Sequence, residues 1–109
     1  MGADGIRNGA GPMSSEANIE NAFVRYIEDV HQCECLKLRV DGQDGFPDRT
    51  VITPAGCFFV EFKKPAGKLR PQQRRWNRRL QELNHAIVIV RSFEEAVDAF
   101  NTWFTGLTQ

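Results

Sequence analysis

Residues 48–63 read DRTVITPAGCFFVEFK, and this stretch decides how the middle of the chain folds. Apolar, β-branched and aromatic side chains fill its two arms, 50–53 and 57–63, which favours extended strands. Pro54-Ala55-Gly56 separates the arms, and proline and glycine are typical of tight turns. The stretch therefore predicts a β-hairpin.

The hairpin gathers charged side chains at one end of the predicted sheet. Alternate residues of a strand share a face, so Glu61 and Lys63 lie on one face while Val60 and Phe62 lie on the other. Folding at the turn brings Asp48, just ahead of the first arm, across from the neighbourhood of Phe62. Two carboxylates and an ammonium group are therefore expected to converge beside an apolar core.

Such a cluster suits the hydrolysis of phosphodiesters with a divalent metal ion. Mg²⁺ prefers carboxylate oxygens, which Asp48 and Glu61 would supply. The ion would polarise the phosphoryl group and acidify a water, and Lys63 would orient that water or stabilise developing charge. The competing interpretation is an ordinary exposed strand pair beside a turn aspartate, since Glu-x-Lys triplets are common on solvated strands.

The flanking periodicities predict an α/β fold with the element order αβββαβα. The predicted elements are a helix over 15–31 capped by Ser14 or Ser15, a strand carrying Leu36, Leu38 and Val40, the two hairpin strands, a helix over 70–83, a strand over 86–90, and a final helix with the apolar stripe Phe93, Val97, Phe100 and Phe104. A helix precedes the strand over 86–90, which favours parallel pairing and hence a mixed sheet.

The ends and the composition of the chain predict one soluble domain. Residues 1–13 are rich in glycine without periodicity, so we expect a flexible leader, native or vector-derived, ahead of a domain over 14–109. Cys33, Cys35 and Cys57 lack the paired spacing of a zinc site and favour reduced thiols. No apolar run reaches membrane-spanning length, so a cytoplasmic location is expected.

The net charge is zero, but its distribution is uneven. Between residues 63 and 79 the chain carries lysines and arginines and no acidic residue. Unbalanced positive charge on a helix favours contacts to nucleic-acid phosphates, although charge runs more often form a solvated face. The candidate DNA-binding residues are Arg70, Arg74, Arg75, Lys64 and Lys68.

Two segments carry a family resemblance. GFPDR at 45–49, followed by FVEFKKPAGKLRPQQRRW at 59–76, resembles the VRR-NUC domain of the PD-(D/E)XK nuclease superfamily. The resemblance implies a restriction-endonuclease-like αβββαβ core with a C-terminal helix. It also implies a site served by Mg²⁺ or Mn²⁺. The implied roles are metal binding by Asp48 and Glu61, catalysis by Lys63, a site-lining position for Gln73, and a metal-site glutamate in the first helix, placed at Glu20 rather than Glu16.

The resemblance also implies a function. Small stand-alone members of this family resemble Holliday-junction resolvases that act as homodimers, so we expect a structure-selective endonuclease that cuts branched DNA. The crowding of Phe93, Val97, Phe100, Trp103 and Phe104 in the last helix is consistent with a dimer interface. Two alternatives stay open: a non-catalytic DNA-binding or scaffold subunit, and a nuclease module of a repair or restriction complex.

Overall fold

The computed structural model describes residues 15–108, so the predicted leader lies outside the described residues. The elements are α1 (Glu16–Val30), β1 (Glu34–Leu36), β2 (Arg49–Thr53), β3 (Gly56–Phe62), α2 (Pro71–Glu82), β4 (Ala86–Val90) and α3 (Phe93–Thr108). This order confirms the predicted αβββαβα arrangement. None of these helices is long and apolar enough to span a membrane.

The strands form one mixed sheet in the order β1-β2-β3-β4. The hairpin pairs antiparallel with Thr53 opposite Gly56 and Arg49 opposite Val60. β4 pairs parallel to β3, with Glu61 beside Ile89. The mixed sheet and the parallel fourth strand are as predicted, because α2 carries the chain back to the end at which β3 began.

Helices cover both faces of the sheet. α1 and α3 bury the main core on one face, whose members are Ile19, Phe23, Ile27, Cys35, Val51, Phe58, Val60, Phe62, Val90, Ala96 and Phe100. α2 covers a smaller cluster on the other face, formed by Phe59, Leu80 and Ile87 with Phe46 and Trp76 against them. Alternate side chains of β3 thus enter the two apolar layers on opposite faces of the sheet, and Trp76 packs against the smaller one.

α1 begins and buries its face as the sequence predicts. The Ser15 hydroxyl caps it by accepting a hydrogen bond from the backbone N–H of Asn18 at 3.1 Å. Ile19, Phe23 and Ile27 are buried. Val30, which follows these residues at helical spacing, is 63% exposed because it is the last residue of α1 and lies beyond the main core.

The prediction for the first strand was wrong beyond Leu36. β1 pairs with β2 only as far as Leu36 opposite Thr50. β2 begins at Arg49, so the backbone beyond Leu36 has no strand to pair with and leaves the sheet. Leu38 is 42% exposed, and Val40 forms only an isolated bridge with Gln43. Alternation of side chains predicts a strand only where a partner strand continues.

The last helix uses its aromatic side chains inside the domain. Phe100 is fully buried, and Trp103 and Phe104 pack against the main core. Much of the aromatic crowding in this helix is therefore explained by packing within one chain. Asn84 ends α2 with a φ of 66°, the left-handed conformation expected of it.

Candidate functional site

Asp48 lies at the open end of the hairpin, beside Glu61. The antiparallel register places Arg49 opposite Val60 and so continues to Asp48 opposite Glu61. The Asp48 Oδ2 accepts a hydrogen bond from the backbone N–H of Phe62 at 2.8 Å. Burial raises the pKa of Asp48, against the lowering effect of this bond. The predicted meeting of Asp48 with the neighbourhood of Phe62 is therefore confirmed.

Glu61 is a buried carboxylate at the end of β3. Its side chain faces α2, whereas its neighbours Val60 and Phe62 enter the main core. Only 4% of the residue is exposed. Burial, and secondly the nearby Asp48 carboxylate, raise the pKa of Glu61 to about 7. Lys63 and Arg70 act in the opposite direction but do not cancel the rise.

Gln73 holds the Glu61 carboxylate from the first turn of α2. Its Nε2 donates to the Glu61 Oε2 at 2.7 Å. Its Oε1 accepts from the backbone N–H of Arg70 at 2.8 Å, which fixes the orientation of the amide. Gln73 is buried, while its neighbour Gln72 is exposed. Gln73, and not its neighbour Gln72, therefore contacts the Glu61 carboxylate.

Lys63 follows β3 directly. Its backbone N–H donates to the carbonyl oxygen of Val90 at 3.0 Å, which extends the pairing of β3 with β4 by one residue. The residue is half-buried, and its charge acts on Glu61 by lowering the pKa of that carboxylate. An ammonium group and two carboxylates are therefore within electrostatic reach of one another, as the hairpin pattern predicted.

Glu20, which the family resemblance implies as a metal-site residue, is paired with two cationic side chains. Its Oε2 accepts from the Arg49 Nε at 2.6 Å and lies 3.4 Å from the Lys37 Nζ. Arg49 is opposite Val60 in the hairpin, so it projects to the face covered by α1, away from Glu61. Glu20 raises the pKa of Asp48 through space, yet it is tied to Arg49.

Sequence reasoning missed Arg49 as the partner of Glu20. Strand alternation was the available signal: Arg49 follows Asp48 directly, so the two side chains leave opposite faces of the sheet. That rule turns Arg49 towards α1, where Glu20 lies at the edge of the buried stripe. The largely buried ion pair between Glu20 and Arg49 therefore joins α1 to β2, the strand that follows Asp48.

The candidate DNA-binding residues are exposed, and most lie at the start of α2. The Arg74 Nη1 donates to the carbonyl oxygen of Leu69 at 2.8 Å. Arg75 donates to the Gln43 Oε1 at 2.9 Å and lies over the Trp76 ring. Arg70, Lys64 and Lys68 are exposed. Of these residues, Arg70 acts on Glu61 by lowering the pKa of that carboxylate.

A cleft of about 400 Å³ opens beside Asp48. The loop that connects β1 to β2, residues 37–48, lines it entirely and ends at Asp48. The cleft therefore reaches one of the two carboxylates, that of Asp48.

The donor set at Asp48 and Glu61 fits a divalent cation. Hard cations take carboxylate oxygens, and two carboxylates with raised pKa values gain most from a neighbouring positive charge. Within residues 15–108, no group of three or more His, Cys, Asp or Glu side chains is arranged to hold a metal ion.

A solved structure of a VRR_NUC domain is similar to this chain, with a TM-score of 0.69 and 27% sequence identity. The similarity covers 79% of this chain and 94% of the other. The chain has the VRR_NUC fold. The resemblance predicted from the sequence is thus confirmed, as is the α/β restriction-endonuclease-like core. No family model and no curated protein matches the chain.

The raised pKa of Glu61 makes the stability of this domain depend on pH. A carboxyl group whose pKa is higher in the folded state binds its proton more tightly there. Its contribution to the free energy of unfolding therefore falls as pH rises from about 4.5 through about 7. At roughly 1.4 kcal/mol for each pKa unit, the loss is on the order of 2–3 kcal/mol.

Glu61→Gln should therefore stabilise the metal-free protein at about pH 8, by roughly 2 kcal/mol, and much less at about pH 5. Denaturant unfolding in a chelator at both pH values measures this difference. Glu34→Gln, at an exposed position of β1, is the matched control and should change neither value. Equal stability of Glu61→Gln and the wild type at about pH 8 would contradict the prediction.

Proposed function

We propose that this chain is a metal-dependent endonuclease that hydrolyses phosphodiester bonds in DNA. The VRR_NUC fold indicates a nuclease domain and therefore an enzyme. The observation that carries the proposal is the pairing of Asp48 with Glu61 at the open end of the hairpin, with Gln73 bonded to Glu61. A buried carboxylate beside a half-buried one costs stability, so a chemical role explains the pair better than a structural one.

Asp48 and Glu61 would hold the ion. The Phe62 N–H fixes one Asp48 oxygen, which leaves the other oxygen, Oδ1, to face a ligand. Gln73 fixes Glu61 in the same way from α2. When bound, Mg²⁺ or Mn²⁺ would supply Lewis acidity to the phosphodiester and neutralise both carboxylates. Each ligand therefore enters the reaction with its orientation already set.

Lys63 is the proposed catalytic cation. It lies two residues after Glu61 and acts on that carboxylate electrostatically. A lysine ammonium group there would hold the attacking water in line or stabilise negative charge on the phosphoryl oxygens. Glu20 is proposed as an accessory metal ligand on the family resemblance. Its salt bridge with Arg49 would have to open for it to act in that way.

DNA is the proposed substrate, held by its phosphates. Arg70 caps α2 and acts on Glu61, Arg74 and Arg75 are exposed in the first turns of α2, and Lys64 and Lys68 lie on the linker before it. Such contacts position a backbone without reading base sequence. A structure-selective nuclease needs no groove-reading element, so branched DNA such as a four-way junction is the proposed target.

Asp48→Asn and Glu61→Gln should each abolish cleavage and weaken divalent-ion binding while the fold is kept. Each change removes a charged oxygen ligand and preserves the shape of the side chain. Lys63→Ala should lose cleavage yet still bind the ion. Calorimetric Mn²⁺ binding and a cleavage assay on plain duplex, flap and four-way-junction DNA measure the two properties separately.

The same assay distinguishes the alternatives. A scaffold subunit would bind these DNAs with no metal-dependent cutting. A module of a larger complex would cut only after a partner is added. Full metal-dependent activity of either carboxylate variant would remove the proposed site, and Gln72→Ala serves as the control that should cut like the wild type.

Charge reversal on α2 tests the DNA-binding face. Arg74→Glu with Arg75→Glu should weaken DNA binding regardless of sequence and flatten its dependence on salt, because phosphate contacts release counterions. Arg78→Glu with Arg79→Glu makes the same charge change one turn further from Gln73 and should have a smaller effect. Titration of labelled duplex at several salt concentrations gives both slopes. Equal loss in the two pairs would make the effect one of net charge alone.

A homodimer is the proposed assembly. The family resemblance supports it, and so does an apolar groove of about 520 Å³ between β4 and α3 that contains Phe58, Ile87 and Trp103. β4 is the end strand of the described sheet, so this groove lies at its margin. A two-fold dimer would present two identical sites, matching the approximate two-fold symmetry of a junction.

Sedimentation equilibrium should therefore give a dimer at micromolar concentration, and mapped cuts should fall on two opposite strands of a four-way junction. Trp103→Ala, which trims the groove, should shift the protein towards monomer. A monomeric wild type, or cuts confined to one strand of a flap, would contradict the dimeric form of the proposal and leave the nuclease assignment intact.

A further inference from the structure

Gly45 approaches the first turn of α2 more closely than any other residue type could. Its φ is 90°, a left-handed backbone value that residues with a Cβ atom rarely adopt. A Cβ atom at this position would lie 2.6 Å from the backbone carbonyl carbon of Gln72 and 2.7 Å from the Gln72 Cβ. Because one of these atoms is backbone, rotation of the Gln72 side chain cannot relieve the overlap.

The segment that carries Gly45 is fixed at its other end. Residues 45–48, here named the strap, run from α2 to the hairpin. The Phe46 ring packs edge-on against Trp76 and Phe59, with centroids 5.0 Å and 5.8 Å apart. Asp48 is bonded to the Phe62 N–H. The strap therefore cannot swing away from α2 without disturbing one of these anchors.

The other side of the contact bears directly on the site. Gln72 is covalently next to Gln73, whose amide is bonded to both Glu61 and the Arg70 N–H. A hydrogen bond of 2.7 Å tolerates little displacement before it weakens. Any shift of the first turn of α2 relative to the strap is thus transmitted to the Gln73–Glu61 bond.

We infer that Gly45 is a positioning residue, whose contact with Gln72 sets the distance between Gln73 and Glu61. The inference rests on the proposed function only for its effect on cleavage. The spacing itself follows from the contact. Gly45→Ala forces the strap and α2 apart by roughly 1 Å, the movement that restores ordinary carbon–carbon separation. A displacement of that size at a reacting site costs up to about a hundredfold in rate.

Gly42 provides a matched control in the same loop. Its φ is 76°, also left-handed, but a Cβ atom there would meet nothing within 4 Å. Gly42→Ala therefore carries the same kind of backbone penalty, about 1 kcal/mol, without the contact with α2. The difference between the two variants isolates the contact.

The first measurement uses the metal-free protein. The side-chain amide signals of Gln73 in a nitrogen–proton correlation spectrum are assigned by their loss in Gln73→Ala. Gly45→Ala should move them towards the position of a solvent-exposed glutamine, and Gly42→Ala should leave them in place. Unchanged Gln73 signals in a folded Gly45→Ala protein would overturn the inference, whatever the protein cleaves.

The second measurement is a double-variant comparison of cleavage rate. If Gly45 acts through Gln73, adding Gly45→Ala to Gln73→Ala costs no further rate. Independent, multiplicative losses would overturn the inference. Absence of cleavage in the wild type itself would instead defeat the proposed function, and the amide signals would still decide the role of Gly45.

Asparagine variants test the inference in the case that Gly45→Ala does not fold. Asparagine tolerates left-handed backbone better than alanine and still carries a Cβ atom, so Gly45→Asn and Gly42→Asn repeat the comparison with less strain. The Gln73 signals should again move only in the Gly45 variant. Unfolding of both Gly45 variants beside folded Gly42 counterparts would show a general packing role and overturn the inference.

Discussion

The close approach of two carboxylates at the end of the hairpin is the constraint around which the structure is organised. Asp48 and Glu61 are held together by an antiparallel register that the main core enforces through Val60 and Phe62. A one-residue slip would turn every side chain of β3 to the wrong face. The hydrophobic pattern that stabilises the sheet therefore also forces the carboxylates to remain neighbours.

Polar contacts from the hairpin backbone and from α2 then fix the two carboxylates. The Phe62 N–H holds Asp48, and the Gln73 amide, itself oriented by the Arg70 N–H, holds Glu61. Both pKa values remain raised, so these hydrogen bonds orient the groups without compensating their burial. The unfavourable burial of the two carboxylates is therefore confined to one site. Their positions are restrained by hydrogen bonds that link the start of β2 to β3 and β3 to α2.

Sequence periodicity recovered the helices and three of the four strands because each has a continuous apolar face and a local start or stop. It failed after Leu36, where alternation persists but the partner strand has ended. Strand alternation predicted that Asp48, Glu61 and Lys63 lie near one another, whereas Gln73 was singled out by the family resemblance. For Glu20, spacing gives the face of α1 but says nothing of the competing cation, Arg49, that holds it.

The sequence by itself determined the element order, the hairpin and the identity of the residues at its open end, because those depend on interactions between near neighbours in the chain. Only the tertiary structure decided that Glu20 pairs with Arg49, that the last helix buries Phe100 in the domain's own core, and that Gly45 touches Gln72. Each of these joins residues more than 25 positions apart, whose meeting depends on how whole elements pack rather than on local pattern.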